Sequence, residues 1–139
     1  MNFKQILNDL HATCISEKDL GKVANYIPEL KKVNSEKFGI YLDTLSSQQI
    51  GVGDCNEKFS IQSISKVFML TLVLKLIGDK LWRRVGVEPS GDPFNSLVQL
   101  EFEKGIPRNP FINSGALVVA DILVSKLKNP KEETLNFIR

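Results

Sequence analysis

Ser63-Ile64-Ser65-Lys66-Val67-Phe68-Met69-Leu70-Thr71-Leu72-Val73-Leu74-Lys75-Leu76-Ile77-Gly78 is the stretch around which the chain must fold. It is apolar on nearly every side, contains no proline, and ends on a glycine that serves as a natural helix stop. A helix without a wet face belongs in the middle of a domain. Its polar groups gather at the start, in Ser63, Ser65 and Lys66. A lysine one turn into such a helix is costly unless something answers its charge.

Downstream of this helix, residues 79–86 suit a further short helix. Residues 88–110 hold four of the six prolines and read as mostly irregular. Residues 111–128 form a second apolar helix around Ala116–Val124, which Asn129-Pro130 ends. Pro130 then fits the first turn of a last helix running from 131 to the end. Upstream, residues 2–14 place Phe3, Ile6, Leu7 and Leu10 at helical spacing behind Asn2 as cap. Pro28 makes 21–30 a turn or loop, and 31–37 is polar and solvated. Residues 38–43 and 48–53 read as two strands of a hairpin, with Gly51 and Gly53 weakening the second. No repeat, low-complexity stretch or linker divides the chain. A lone hairpin leaves its edges unsatisfied, and Leu135, Phe137 and Ile138 are still apolar at the end. Residues 1–139 are therefore expected to be the N-terminal part of a larger domain.

Composition narrows the function. The 139 residues are 42% hydrophobic and 24% charged, which is globular rather than disordered or fibrous. With 18 basic and 16 acidic residues the net charge is +2, and no clustered basic face calls for nucleic acid. His11 is the one histidine, so zinc sites built on two or more histidines are excluded and a Ser-His-Asp triad is disfavoured. Cys14 and Cys55 lie far apart without metal-ligand spacing and read as free thiols. The start of the chain lacks the apolar core and cleavage site of a signal peptide. The longest apolar stretch, Val67 to Leu74, is far short of a membrane span. A soluble, cytoplasmic protein is expected.

Ser63 and Lys66 carry the chemistry. Residues three apart share a helix face, so the amine can sit beside the hydroxyl. A serine hydroxyl attacks only when a base takes its proton. A lysine becomes that base when apolar surroundings, here Val67, Phe68, Met69 and Leu70, disfavour its ammonium. Helix N-terminal N–H groups then face a developing oxyanion. The pattern alone is weak: 11 serines and 14 lysines produce it about once by chance, and Ser125–Lys128 is a second copy. Lys128, however, is a solvated charge at a helix end, whereas Lys66 needs a partner. The side chains of the pair are expected within or near hydrogen-bond reach. Asn113, at the start of the second apolar helix, is either a helix cap or an amide that binds a polar substrate group. Ser114, Gly115 and Ala116 behind it permit close packing. Tyr26 is either a half-buried packing aromatic or a hydroxyl that relays protons near the Ser-Lys pair. His11, Cys14 and Cys55 read as packing or surface residues.

Four stretches in order carry a resemblance: Gly21-Lys22-Val23-Ala24-Asn25-Tyr26-Ile27-Pro28-Glu29-Leu30; Phe59-Ser60-Ile61-Gln62-Ser63-Ile64-Ser65-Lys66; Val85-Gly86-Val87-Glu88-Pro89-Ser90-Gly91 with Phe94-Asn95; and Asn109-Pro110-Phe111-Ile112-Asn113-Ser114-Gly115-Ala116. Together the chain resembles the serine-dependent glutaminases over residues 21 to about 124. The resemblance implies Ser63 as nucleophile, Lys66 as its activating base and Tyr26 beside them. Ser63, Asn113, Tyr26 and Gln62 would contact L-glutamine. Ser114 replaces an alanine common in the family, a small change for the pocket. The implied fold is α+β, like the serine β-lactamases and transpeptidases, here mainly helical with a short antiparallel hairpin. The implied reaction is hydrolysis of L-glutamine to L-glutamate and ammonia, with no metal or organic cofactor, in a homodimer or homotetramer. Family domains are about twice this length, and the groups expected to clamp the amino-acid head of glutamine have no candidate here. This chain by itself is therefore expected to be inactive. Two other readings stand beside it: another acyl-serine hydrolase of the same fold, or an inactive chain serving as an interaction module.

Overall fold

The computed structural model describes residues 2–17, 21–91, 93, 95, 100–101 and 103–139. They fall into two compact units, Met1–Phe59 and Ser60–Arg139.

In the first unit, α1 (Phe3–Ser16) starts where the sequence places it. Asn2 Oδ1 accepts the Gln5 N–H at 3.1 Å and so satisfies one orphan donor of the first turn. Strands β1 (Gly39–Asp43) and β2 (Gln49–Gly53) pair antiparallel, with Tyr41 opposite Gly51 and Asp43 opposite Gln49. They form the one sheet among the described residues. Ile40, Leu42, Ile50 and Val52 alternate onto the half-buried side, and α1 packs against both strands. The connecting turn closes through Ser47 N–H to Thr44 O at 2.9 Å and Thr44 N–H to Gln48 O at 3.0 Å.

Both glycines of β2 stand where a β-carbon would meet close neighbours, Cys55 Sγ at Gly51 and His11 at Gly53. Gly53 has φ +66°, and a β-carbon there would lie 2.2 Å from His11 Nε2 and 2.4 Å from the Phe38 carbonyl. Only glycine lets His11, stacked on Phe38 at 5.4 Å between ring centroids, come this close to the strand. At the hairpin root, Asp54 Oδ2 accepts the Phe38 N–H at 3.0 Å, and Lys37 Nζ donates to Asp54 at 3.2 Å and Glu57 at 2.7 Å. The Phe38 N–H, and after it the Lys37 ammonium, holds the Asp54 carboxyl below its ordinary range. Glu57 first, then Asp54, pushes the Lys37 amine up.

In the second unit, a 3₁₀ turn (Gln62–Ile64) leads into α2 (Ser65–Ile77). Gly78, at φ +53°, stops the helix and opens a 3₁₀ turn over Gly78–Arg83. Helix α3 (Asn113–Lys126) packs on α2, and α4 (Pro130–Ile138) touches both. Pro130 begins α4 as expected, and the Glu133 carboxylate accepts the Asn129 N–H at 2.8 Å. The core joins Leu72 and Val73 of α2, Leu81, Val85, and Val119, Ile122 and Leu123 of α3. Each fully buried side chain of this kind contributes roughly 1.5–3 kcal/mol.

Helix α2 is nevertheless not buried all round. Val67 is 51% exposed and Leu76 41%, while Leu72 and Val73 are buried in the core. The proline-rich segment is irregular in most of its described residues. It is tied down where Gly86 N–H donates to Pro107 O at 2.7 Å and Glu88 N–H to Arg108 O at 2.9 Å. Phe94, part of the third motif, lies outside the described residues.

Candidate active site

Helix α2 delivers Lys66 in its first turn, half-buried, and the 3₁₀ turn ahead of it delivers Ser63, exposed. Gln62, immediately before Ser63, takes φ +44°, a left-handed conformation unusual for a side-chain-bearing residue. The two serines of the motif are not equivalent. Ser65 Oγ donates to the Gln62 carbonyl at 2.7 Å and is spent on that turn. Among the described residues, no hydrogen bond engages the Ser63 side chain.

Lys66 finds partners 45 and 47 residues away. Its Nζ donates to the Phe111 carbonyl at 2.7 Å and to Asn113 Oδ1 at 2.8 Å. The expected contact with Ser63 Oγ is not among the hydrogen bonds of the described residues. The 3₁₀ turn runs directly into α2, with Ser65 N–H donating to the Gln62 and Ser63 carbonyls. Of the four apolar residues that follow Lys66, Val67 is exposed and Phe68, Met69 and Leu70 are half-buried.

Asn113 is the first residue of α3 and does not cap it. The residue before it, Ile112, holds the cap position without a side-chain bond. Of the two readings open for Asn113, the structure thus gives the amide an outward partner, the Lys66 amine. Asn109 does the local work instead: its Oδ1 accepts Phe111 N–H at 3.0 Å and Ile112 N–H at 3.1 Å, and its Nδ2 donates to Glu88 O at 2.9 Å. Small residues behind Asn113 do permit close packing, but of a loop. A β-carbon on Gly115 would lie 1.9 Å from the Asn109 carbonyl. Sequence reading missed Asn109 and the Phe111 carbonyl as individual groups. A backbone oxygen has no residue signature, and only the Asn-Pro pair ahead of an apolar helix hints at a built turn.

Tyr26 belongs to the first unit, ahead of the Leu30–Lys32 turn, and is 77% exposed, so packing does not account for it. Cys14 is exposed and Cys55 half-buried, both as free thiols. Among the described residues no group of His, Cys, Asp and Glu could hold a metal ion, and no helix is long and apolar enough to cross a membrane. Chemically, the second unit joins an unengaged hydroxyl on a tight turn, an amine three residues on with two fixed acceptors, and an amide at a helix start.

The sequence matches the Glutaminase family over residues 21–139. Among curated relatives, the glutaminase of Saccharophagus degradans is 58% identical over 139 residues, covering all of this chain and 45% of that protein. The glutaminase of Christiangramia forsetii is 55% identical, covering all of this chain and 46% of its own length. A solved structure of a probable glutaminase, YbaS, superposes with a TM-score of 0.87 at 28% identity, over 96% of this chain and 44% of the other. Mglu in its tris and glutamate form gives a TM-score of 0.81 at 34% identity, over 99% of this chain and 30% of that one. The chain thus spans a little under half the length of the curated relatives it matches. The family match runs over all four motif stretches, and the chain belongs to the glutaminase family.

Proposed function

We propose that these residues form the nucleophile-bearing half of a glutaminase catalytic domain that hydrolyses L-glutamine to L-glutamate and ammonia. The observation that carries the reading is Lys66 Nζ held at once by Phe111 O and Asn113 Oδ1, one turn beyond an exposed Ser63. These two acceptors fix the amine one turn beyond Ser63, and on this reading it is the group that takes the Ser63 proton. As Ser63 Oγ bonds to the carboxamide carbon, its proton passes to Lys66 Nζ, and backbone N–H groups at the start of α2 stabilise the oxyanion. The carbon–nitrogen bond then breaks, Lys66 returns the proton to the departing ammonia, and a γ-glutamyl ester remains on Ser63. Water hydrolyses that ester, releasing glutamate and regenerating the hydroxyl. Asn113 Oδ1 faces the amine, so its Nδ2 is the end presented to substrate oxygens, with Gln62 as a further contact.

The chemistry asks for no metal or organic cofactor. The same reading takes a fold akin to the serine β-lactamases, the cytoplasm as compartment and a homo-oligomer as assembly. It is supported by the mixed helix-and-hairpin architecture, the free thiols, and exposed Leu117 and Val124 on α3. A chain of these 139 residues alone is inactive on this reading, because loss of oriented binding and of a further oxyanion donor falls on one step. The oxyanion donor by itself is typically worth about a hundred- to a thousand-fold.

The test separates chemistry from turnover. A γ-p-nitrophenyl ester of glutamate, whose leaving group needs no proton, should acylate Ser63 in the purified chain, seen by intact mass and absent in Ser63→Ala. A coupled assay on glutamine should show no ammonia above the Ser63→Ala control. Labelling that persists in Ser63→Ala removes Ser63 from the mechanism, and acylation by penicillin instead of the glutamyl ester transfers the chain to another acyl-serine chemistry.

A further inference from the structure

We propose that Asn109 is a positioning residue for the Lys66 amine, acting through the Phe111–Ile112 peptide; this rests on the reading of Lys66 as the base. One of the two oxygens that hold Lys66 Nζ is the Phe111 carbonyl, which belongs to an exposed, non-helical residue. No helix or sheet ladder fixes the direction of that carbonyl. Something else must.

The Phe111 carbonyl and the Ile112 N–H are two ends of one peptide unit. The chain has no cis peptide bonds among the described residues, and in a planar trans peptide these two groups point in opposite directions. Asn109 Oδ1 accepts the Ile112 N–H at 3.1 Å and the adjacent Phe111 N–H at 3.0 Å. Pinning the N–H end aims the carbonyl end, and the aimed carbonyl meets Lys66 Nζ at 2.7 Å.

The anchor is itself anchored. Asn109 Nδ2 donates to the Glu88 carbonyl at 2.9 Å, while Glu88 N–H donates back to Arg108 O at 2.9 Å. The Asn109 carbonyl lies so near Gly115 that a β-carbon there would stand 1.9 Å away, which seats the turn on the first turn of α3. Aiming the peptide takes only the acceptor for the two N–H groups, and the donor to Glu88 O steadies the side chain that carries it. Asparagine has both, aspartate lacks the donor and leucine lacks both.

The experiment reads Lys66 directly, by hydrogen exchange of its Nζ protons in ¹⁵N NMR spectra of the full chain, with the signal assigned by its loss in Lys66→Arg. In Asn109→Ala the exchange should speed by about fivefold or more, the equivalent of one hydrogen bond, while amide protection of Val73 and Val119 in the core stays as in the parent. Asn109→Leu, which keeps the volume, should do the same. Asn109→Asp retains the acceptor and should keep the Lys66 signal within about twofold of the parent. Unchanged Lys66 exchange in either apolar variant with an intact core overturns the proposal. If both apolar variants lose core protection, Asn109→Asp decides: a retained Lys66 signal supports the acceptor role, and a lost one overturns it. The functional reading fails separately. A Ser63 that resists the glutamyl ester beside a normal Asn109 effect removes the catalytic assignment and leaves the positioning of Lys66 standing.

Discussion

The two compact units solve the same problem, ordering a chain segment, by different means. Among the described residues, Met1–Phe59 buries a single large apolar side chain, Leu7. Its hairpin root is held by the half-buried Phe38 N–H bond to Asp54 and by exposed Lys37 on Asp54 and Glu57. Ser60–Arg139 instead gathers seven buried apolar residues from α2, α3 and the turn between them into one cluster. Exposed ion pairs are worth little, whereas closed apolar packing contributes several kcal/mol. The unit with the packed core is also the one that carries Ser63, Lys66 and Asn113.

The comparison breaks most visibly at Leu81, which is fully buried. Leu81→Ala should lower the stability reported by α2 and α3 amides by about 2–5 kcal/mol, through lost transfer energy and the cavity left behind. Urea titration followed by amide exchange measures it. A loss under 1 kcal/mol would mean the cluster is not the support described here.

Gly53→Ala is the matching test in the first unit. It forces an L side chain to φ +66° and against His11 and Phe38, and should destabilise the hairpin by roughly 1–3 kcal/mol. Protection of the β1 and β2 amides is the measurement. A loss as large as that of Leu81→Ala would erase the contrast between the units.

The smallest effect is a dependence on pH at the hairpin root. Asp54 has its carboxyl lowered by folding, so its contribution is present above the ordinary carboxylate range and is lost as pH falls through the folded value. Lys37 is raised, so its contribution is present below the ordinary lysine range and is lost as pH rises through its own folded value. Hairpin stability should therefore sag at both extremes. Asp54→Asn should flatten the acid limb while leaving the core of the second unit unchanged. An acid limb as steep in the variant as in the parent would locate the sensitivity elsewhere.

Much of this was determined by the sequence, wherever the cause is local. Asn2 caps α1, Gly78 stops α2, Pro130 starts α4, and the spacing of 38–43 and 48–53 makes the hairpin. Each depends on groups within about four residues, the reach of a helical turn or a tight loop. The Ser63–Lys66 pair and the four ordered motifs were legible for the same reason, as residue types at fixed short intervals. Only the tertiary structure decided where the Lys66 amine goes. Its partners lie 45 and 47 residues on, and one of them is a backbone carbonyl that every residue possesses. Tertiary packing likewise decided that Gly53 and Gly115 admit His11 and the Asn109 carbonyl rather than loosen their elements, and that the Val67 side of α2 stands open. Local preferences are written along the chain; the direction of a carbonyl or the room beside an α-carbon exists only once distant segments have packed.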